Sequence, residues 1–178
     1  MRGFIPRGIP DSVWRATLFD SPEELIAKIR LGEDSTLELK SIRFNSGGDK
    51  VTGPERDKLA NEIAAIANSR GGVIVLGVDD KTRDIEGIPI ERLDIVEKFV
   101  YEICNESIKP PVLFHSFRMQ LPDTTGALRA VMKLDIPRSL FVHKSPGGYF
   151  HRQGSSIREM QPDLLARLFQ QRSQARLI

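Results

Sequence analysis

Apolar residues recur along this chain in two rhythms, one suited to helices and one to strands. Ser21-Pro22-Glu23-Glu24 reads as a capping box with proline at the first helical position. Leu25, Ile26, Ile29 and Leu31 follow at helical spacing until Gly32 ends the run. Residues 36–40 alternate instead, with Leu37 and Leu39 facing one way and Glu38 and Lys40 the other, as on a strand. Asn45-Ser46-Gly47-Gly48-Asp49-Lys50 reads as a mobile polar loop. Thr52-Gly53-Pro54-Glu55 opens the strongest helix, whose inward stripe is Leu59, Ile63, Ile66 and Ala67. Asn68-Ser69-Arg70-Gly71-Gly72 stops it, and the apolar run from Val73 to Val78 has the pattern of a strand covered on both faces.

Further on, a helix is expected over about residues 91–105, with Ile95, Phe99, Val100 and Ile103 inward. Two strands, near 112–120 and 127–136, flank turn residues Pro122, Asp123 and Gly126 and suggest a hairpin. A short strand at 149–152 and a last helix at 161–171 complete the chain. This order predicts an α+β fold, a mixed β-sheet with packed helices. Residues 1–20 carry prolines, glycines and a few anchoring apolar positions, and read as an N-terminal arm to one domain over 21–178.

Composition supports a core that needs no disulfide or structural metal, since 40% of the 178 residues are hydrophobic. The one cysteine, Cys104, follows Ile103 in an apolar pattern and reads as a buried, inert thiol, which suits a reducing cytosol. The N-terminus lacks an apolar signal-peptide region, and the longest strongly apolar run is far below the ~20 residues of a membrane span. A cytoplasmic protein without membrane contact is expected. Charge is uneven: residues 138–178 balance to +5, whereas the 137 before them balance to −3. A basic C-terminal third is a footprint for polyanions, or else ordinary solvated helix surface.

Glu38 and Lys40 leave the same strand face roughly 7 Å apart. Glu33 lies five residues earlier, where it could turn back toward that face, and Asp79-Asp80 ends the next strand, a usual place for ligand groups. Converging carboxylates repel unless a cation joins them, and hard oxygen donors suit Mg²⁺ or Mn²⁺. From spacing alone the plainer reading is a surface ion pair and a strand-end turn. His115, His143 and His151 have no metal-ligand spacing, and Asn68-Ser69-Arg70-Gly71-Gly72 ends a helix rather than opening one, so it is no nucleotide loop.

Three ordered blocks add a resemblance. Glu33-x-x-x-x-Glu38-Leu39-Lys40 is the first. Ala67-Asn68-Ser69-x-Gly71-Gly72-Val73-Ile74-Val75-Leu76-Gly77-Val78-Asp79-Asp80 is the second, and Tyr149-Phe150-x-Arg152-x-Gly154-Ser155-Ser156 the third. Together they resemble the Schlafen AlbA-type domain of bacterial proteins and vertebrate Schlafen proteins, over roughly residues 21–172. The resemblance implies nucleic-acid binding, to DNA or RNA. It also implies an alternative: a metal-dependent endoribonuclease cutting structured RNA such as tRNA. In that alternative Glu33, Glu38 and Asp80 hold Mg²⁺ or Mn²⁺, and Lys40 is an electrostatic helper. Arg43, Lys50, Arg152 and Ser155 are the expected nucleic-acid contacts. The family's nucleases carry two related lobes and this chain has room for one, so a homodimer is expected to supply the second.

Overall fold

The structure, a computed structural model, describes residues 18–177; residues 1–17 of the expected arm lie outside the described residues. Helix α1 (Pro22–Leu31) begins where its capping residues require, the Ser21 hydroxyl accepting the Glu24 N–H at 3.1 Å. Strand β1 (Leu37–Lys40) follows, then the short pair β2 (Arg43–Phe44) and β3 (Val51–Gly53). The expected mobile loop is therefore the tip of an antiparallel hairpin, closed by Asn45, whose backbone N–H donates to the Lys50 carbonyl and whose side-chain oxygen accepts the Lys50 N–H. Thr52 and Gly53 belong to this hairpin, so helix α2 (Arg56–Asn68) starts later than the sequence pattern suggests.

Strand β4 (Gly71–Leu76) is followed by a single 3-10 turn, helix α3 (Leu93–Glu102) and a π-helical turn (Ile103–Ser107). Strands β5 (His115–Pro122) and β6 (Leu128–Pro137) form the expected hairpin. A second hairpin, β7 (Phe150–Gln153) with β8 (Ser156–Glu159), precedes helix α4 (Pro162–Arg176). The main sheet runs β1-β4-β6-β5, with β1 parallel to β4 and the other pairs antiparallel, which is the mixed sheet of an α+β fold.

Two cores cover the sheet. Leu37, Leu39, Val73, Val75 and Val131 meet Leu25 and Ile29 of α1 on one face. Ile74, Leu76, Met132, Leu134 and Ile136 meet Leu59, Ile63 and Ile66 of α2 and Val96 and Val100 of α3 on the other. Helix α3 is turned relative to its expected phase: Leu93, Val96 and Val100 are buried, whereas Ile95 and Phe99 are half-buried beside the β2–β3 hairpin. Cys104 sits in the second core, 1% exposed, and burial pushes its thiol up to about 12. Among the described residues no helix is long and apolar enough to cross a membrane.

Candidate functional site

Among the described residues strand β1 lies at the edge of the sheet, so half its backbone groups have no neighbouring strand there to meet. Two side chains take that place. Glu33, just before the strand, accepts the outward Leu39 N–H on Oε1 at 2.9 Å. Arg152, on β7, donates from Nη2 to the Leu37 carbonyl at 3.0 Å and to the Asp34 carbonyl at 2.7 Å, with Nε also reaching Asp34. Its Nη1 donates to Glu38 Oε2 at 2.8 Å. The Arg152 N–H is itself held by the Ser69 hydroxyl at the end of α2, so hairpin β7–β8 is clamped onto the sheet edge. Asp34 completes the approach by accepting the Thr36 and Leu37 N–H groups and an ion pair from Lys28.

Glu38 stands opposite Ile74 and Lys40 opposite Leu76, so both side chains run under α2 rather than into solvent. The Lys40 ammonium lies 3.1 Å from Glu38 Oε1 and 2.8 Å from Glu62 Oε1, a residue of α2. Burial opposes the charge on Lys40, but Glu62 and then Glu38 outweigh it and lift the ammonium to about 12. Burial pushes the Glu33 carboxyl up to about 7; the Leu39 N–H pulls against that rise and the charge of Glu38 reinforces it. Burial likewise raises Glu62, with Lys40 in opposition, and its Oε2 is buried without a hydrogen-bond partner among the described residues. Glu38 and Lys40 are thus not a solvated surface pair but the middle of a chain, Arg152–Glu38–Lys40–Glu62, that is buried at Arg152 and Glu38 and half-buried at Lys40 and Glu62. Sequence reasoning missed Glu62; the available signal was an acid three residues after Leu59, on the flank of the α2 stripe.

Asp80 is not drawn in. It is exposed on the turn after β4, where Asp79 accepts the Lys81 and Thr82 N–H groups. Tested against a divalent cation, the donors as placed do not fit. Both Glu38 oxygens face cationic side chains, Glu33 spends one oxygen on the backbone, and Asp80 stands apart. Among the described residues no three His, Cys, Asp or Glu side chains are gathered to hold a metal. The expected nucleic-acid contacts also separate. Lys50 is exposed at the β2–β3 tip, Ser155 is exposed at the β7–β8 turn, and Arg43 is exposed but paired with Glu86 at 2.6 Å. Arg152 is a correction: its side chain is 2% exposed and its donors are spent inside the fold, out of reach of a phosphate.

A different cationic surface lies on the far side of Arg152. A groove of about 680 Å³ opens between the end of α2, β7 and α4, and is lined by Ser69, Arg70, Arg138, His151, Arg152 and Arg172 among others, with no carboxylate in its walls. Arg172 is the only residue of α4 that is fully buried. Its Nη1 and Nη2 donate to carbonyls at the C-terminus of α2 and to Ser139, capping that helix with a positive charge.

Residues 33–161 match the family model described as Schlafen, AlbA_2. Among solved structures, the chain is similar to the DIP2311 protein from Corynebacterium diphtheriae, with 21% identity and a TM-score of 0.47. That similarity covers 71% of this chain but only 22% of the other.

Proposed function

The chain belongs to the Schlafen AlbA_2 family, whose function is nucleic-acid-related, and from that premise we propose that it binds DNA or RNA through the basic groove beside the partly buried acidic chain. The observation that carries this reading is the groove's lining: Arg70 and Arg138, exposed and without an ion pair among the described residues, beside His151 and Arg172 and with no carboxylate, on a molecule of net charge +2. A polyanion is the ligand such a wall attracts, since each phosphate contacted by Arg or Lys releases condensed counterions. Lys50 and Ser155 are exposed on two separate hairpins outside the groove lining, and Arg43 is exposed but paired with Glu86, so only a strand that runs beyond the groove would meet them. Two copies would give a two-lobed clamp, and the homodimer is checked by light scattering with and without nucleic acid. The binding test is fluorescence anisotropy with labelled single-stranded RNA, single-stranded DNA and duplex DNA. Binding that weakens with salt and with Arg70→Gln or Arg138→Gln supports the reading; a flat salt response sinks it.

A second reading, metal-dependent cleavage of structured RNA, is favoured by the meeting of Glu33 and Glu38 beside Lys40 at one sheet edge. It requires Glu38 to release Arg152 and Lys40, and Asp80 to move in. Incubation of tRNA with the protein in Mn²⁺, Mg²⁺ or EDTA decides it: cleavage abolished by EDTA and by Glu38→Gln supports the enzyme, and intact RNA throughout rejects it.

A further inference from the structure

The groove beneath α4 contains a donor that the fold leaves unused. Arg172 is 2% exposed, and its two terminal nitrogens are engaged by the carbonyls of Ala67, Asn68, Ser69, Ser139 and Phe141. Its Nε is buried and has no hydrogen-bond partner among the described residues. Buried N–H groups are almost always paired, so an orphan of this kind at a groove wall points to a missing acceptor. The charge is also uncompensated. Arg172 faces no carboxylate across the groove; the neighbouring charge is Arg138, and burial followed by that like charge holds its guanidinium down to about 10. Arg70 and Arg138 line the same groove and form no ion pair with any described residue.

An acceptor that satisfies these groups must be small at its leading end, to reach an atom nearly closed off from solvent. It must also carry more than one negative charge, to offset Arg70, Arg138 and Arg172 together. An internal phosphodiester has one charge and a sugar on either side. A terminal phosphate has three free oxygens and a charge of about −1.5 to −2 at pH 7. Resting on the nucleic-acid reading above, we infer that the groove seats the terminal phosphate of a nucleic-acid strand. Arg172 Nε–H is the inner donor, and Arg70 and Arg138 are the flanking cations.

The test compares short oligonucleotides of one sequence bearing a 5′-phosphate, a 3′-phosphate or neither, by anisotropy at near-physiological salt, with inorganic phosphate as competitor. One phosphorylated end is expected to bind about tenfold tighter than the unphosphorylated strand, a single charge-assisted hydrogen bond's worth. Arg70→Gln and Arg138→Gln should bring that ratio toward one while leaving the melting temperature unchanged, because neither side chain is paired. Arg172→Lys keeps the charge but removes Nε–H, and should reduce the ratio too; if it unfolds, the two surface variants decide. Equal binding of all three strands overturns the terminal-phosphate site and leaves nucleic-acid binding intact. Failure of every strand to bind overturns both readings. Stabilisation by inorganic phosphate without strand binding moves the groove to small phosphorylated ligands and overturns the inference as stated.

Discussion

Replacing Arg152 by alanine strands Glu38 in the interior with one cation instead of two, and removes the donors that close the Asp34 and Leu37 carbonyls. Breaking a buried pair from one side costs about 3–5 kcal/mol. Arg152→Ala is therefore expected to lose that much in urea unfolding, and Arg152→Lys to recover little, because an ammonium cannot span Glu38 and two carbonyls at once. A loss below about 1 kcal/mol would mean that the clamp on the sheet edge is dispensable. Glu33 gives a second prediction, in pH. Its folded carboxyl sits near 7 against an ordinary value of 4.5. Between those values the native state holds a proton that the unfolded state has released, so stability falls as pH rises from 4.5 toward 7. Glu33→Gln should flatten this decline in a melting-temperature series across that window, since the amide oxygen can still accept the Leu39 N–H. An equally steep decline in the variant would place the titration elsewhere.

At the level of elements, the turn from α2 into β4 depends on Gly71. It adopts φ +80°, and a Cβ there would lie 2.7 Å from the Arg138 nitrogen and 2.8 Å from the Ile136 oxygen, on the adjoining strand β6. Gly71→Ala must both strain the backbone and push β6 away, a cost on the order of 2–3 kcal/mol. Chemical denaturation measures it, and a near-neutral result would show that the β4–β6 register yields easily. Such points mark how far sequence reasoning reaches. Helix α1, strand β4 and the β5–β6 hairpin are legible because capping residues and alternation point to the same answer. The phase of α3 is not, since Ile95, Val96, Phe99 and Val100 spread apolar character round the helix, and only packing against the sheet and α2 on one side and the β2–β3 hairpin on the other decides between them. The two-residue strand β2 is too short to show a period. Glu33 and Glu38 are findable from their spacing. Glu62 is hidden by its helix, where an acid reads as solvated, and the inward course of Arg152 depends on an edge strand that only tertiary structure creates.

For the whole molecule, the balance of charge sets how nucleic acid is held. A net charge of +2 spread over 178 residues produces little long-range attraction, so affinity must come from local contacts. The cations free to meet phosphate in the groove are Arg70 and Arg138, with Arg172 at its inner wall, whereas Arg152 is consumed by Glu38. Two or three phosphates neutralised on a single strand correspond to a slope of about −1.4 to −2 in log K against log salt, at about −0.7 per contact. Anisotropy titrations over a series of salt concentrations should return a slope in that range for single-stranded nucleic acid. Arg70→Gln should make it shallower by about one contact, and Glu38→Gln, which lies behind Arg152, should leave it unchanged in any variant that remains folded. A slope several-fold steeper would mean that a larger surface than the groove is engaged, such as one completed by a second copy of the chain. That outcome would extend the binding face beyond the α4 groove, toward exposed cations such as Arg158 on β8 and Lys50 at the β2–β3 tip.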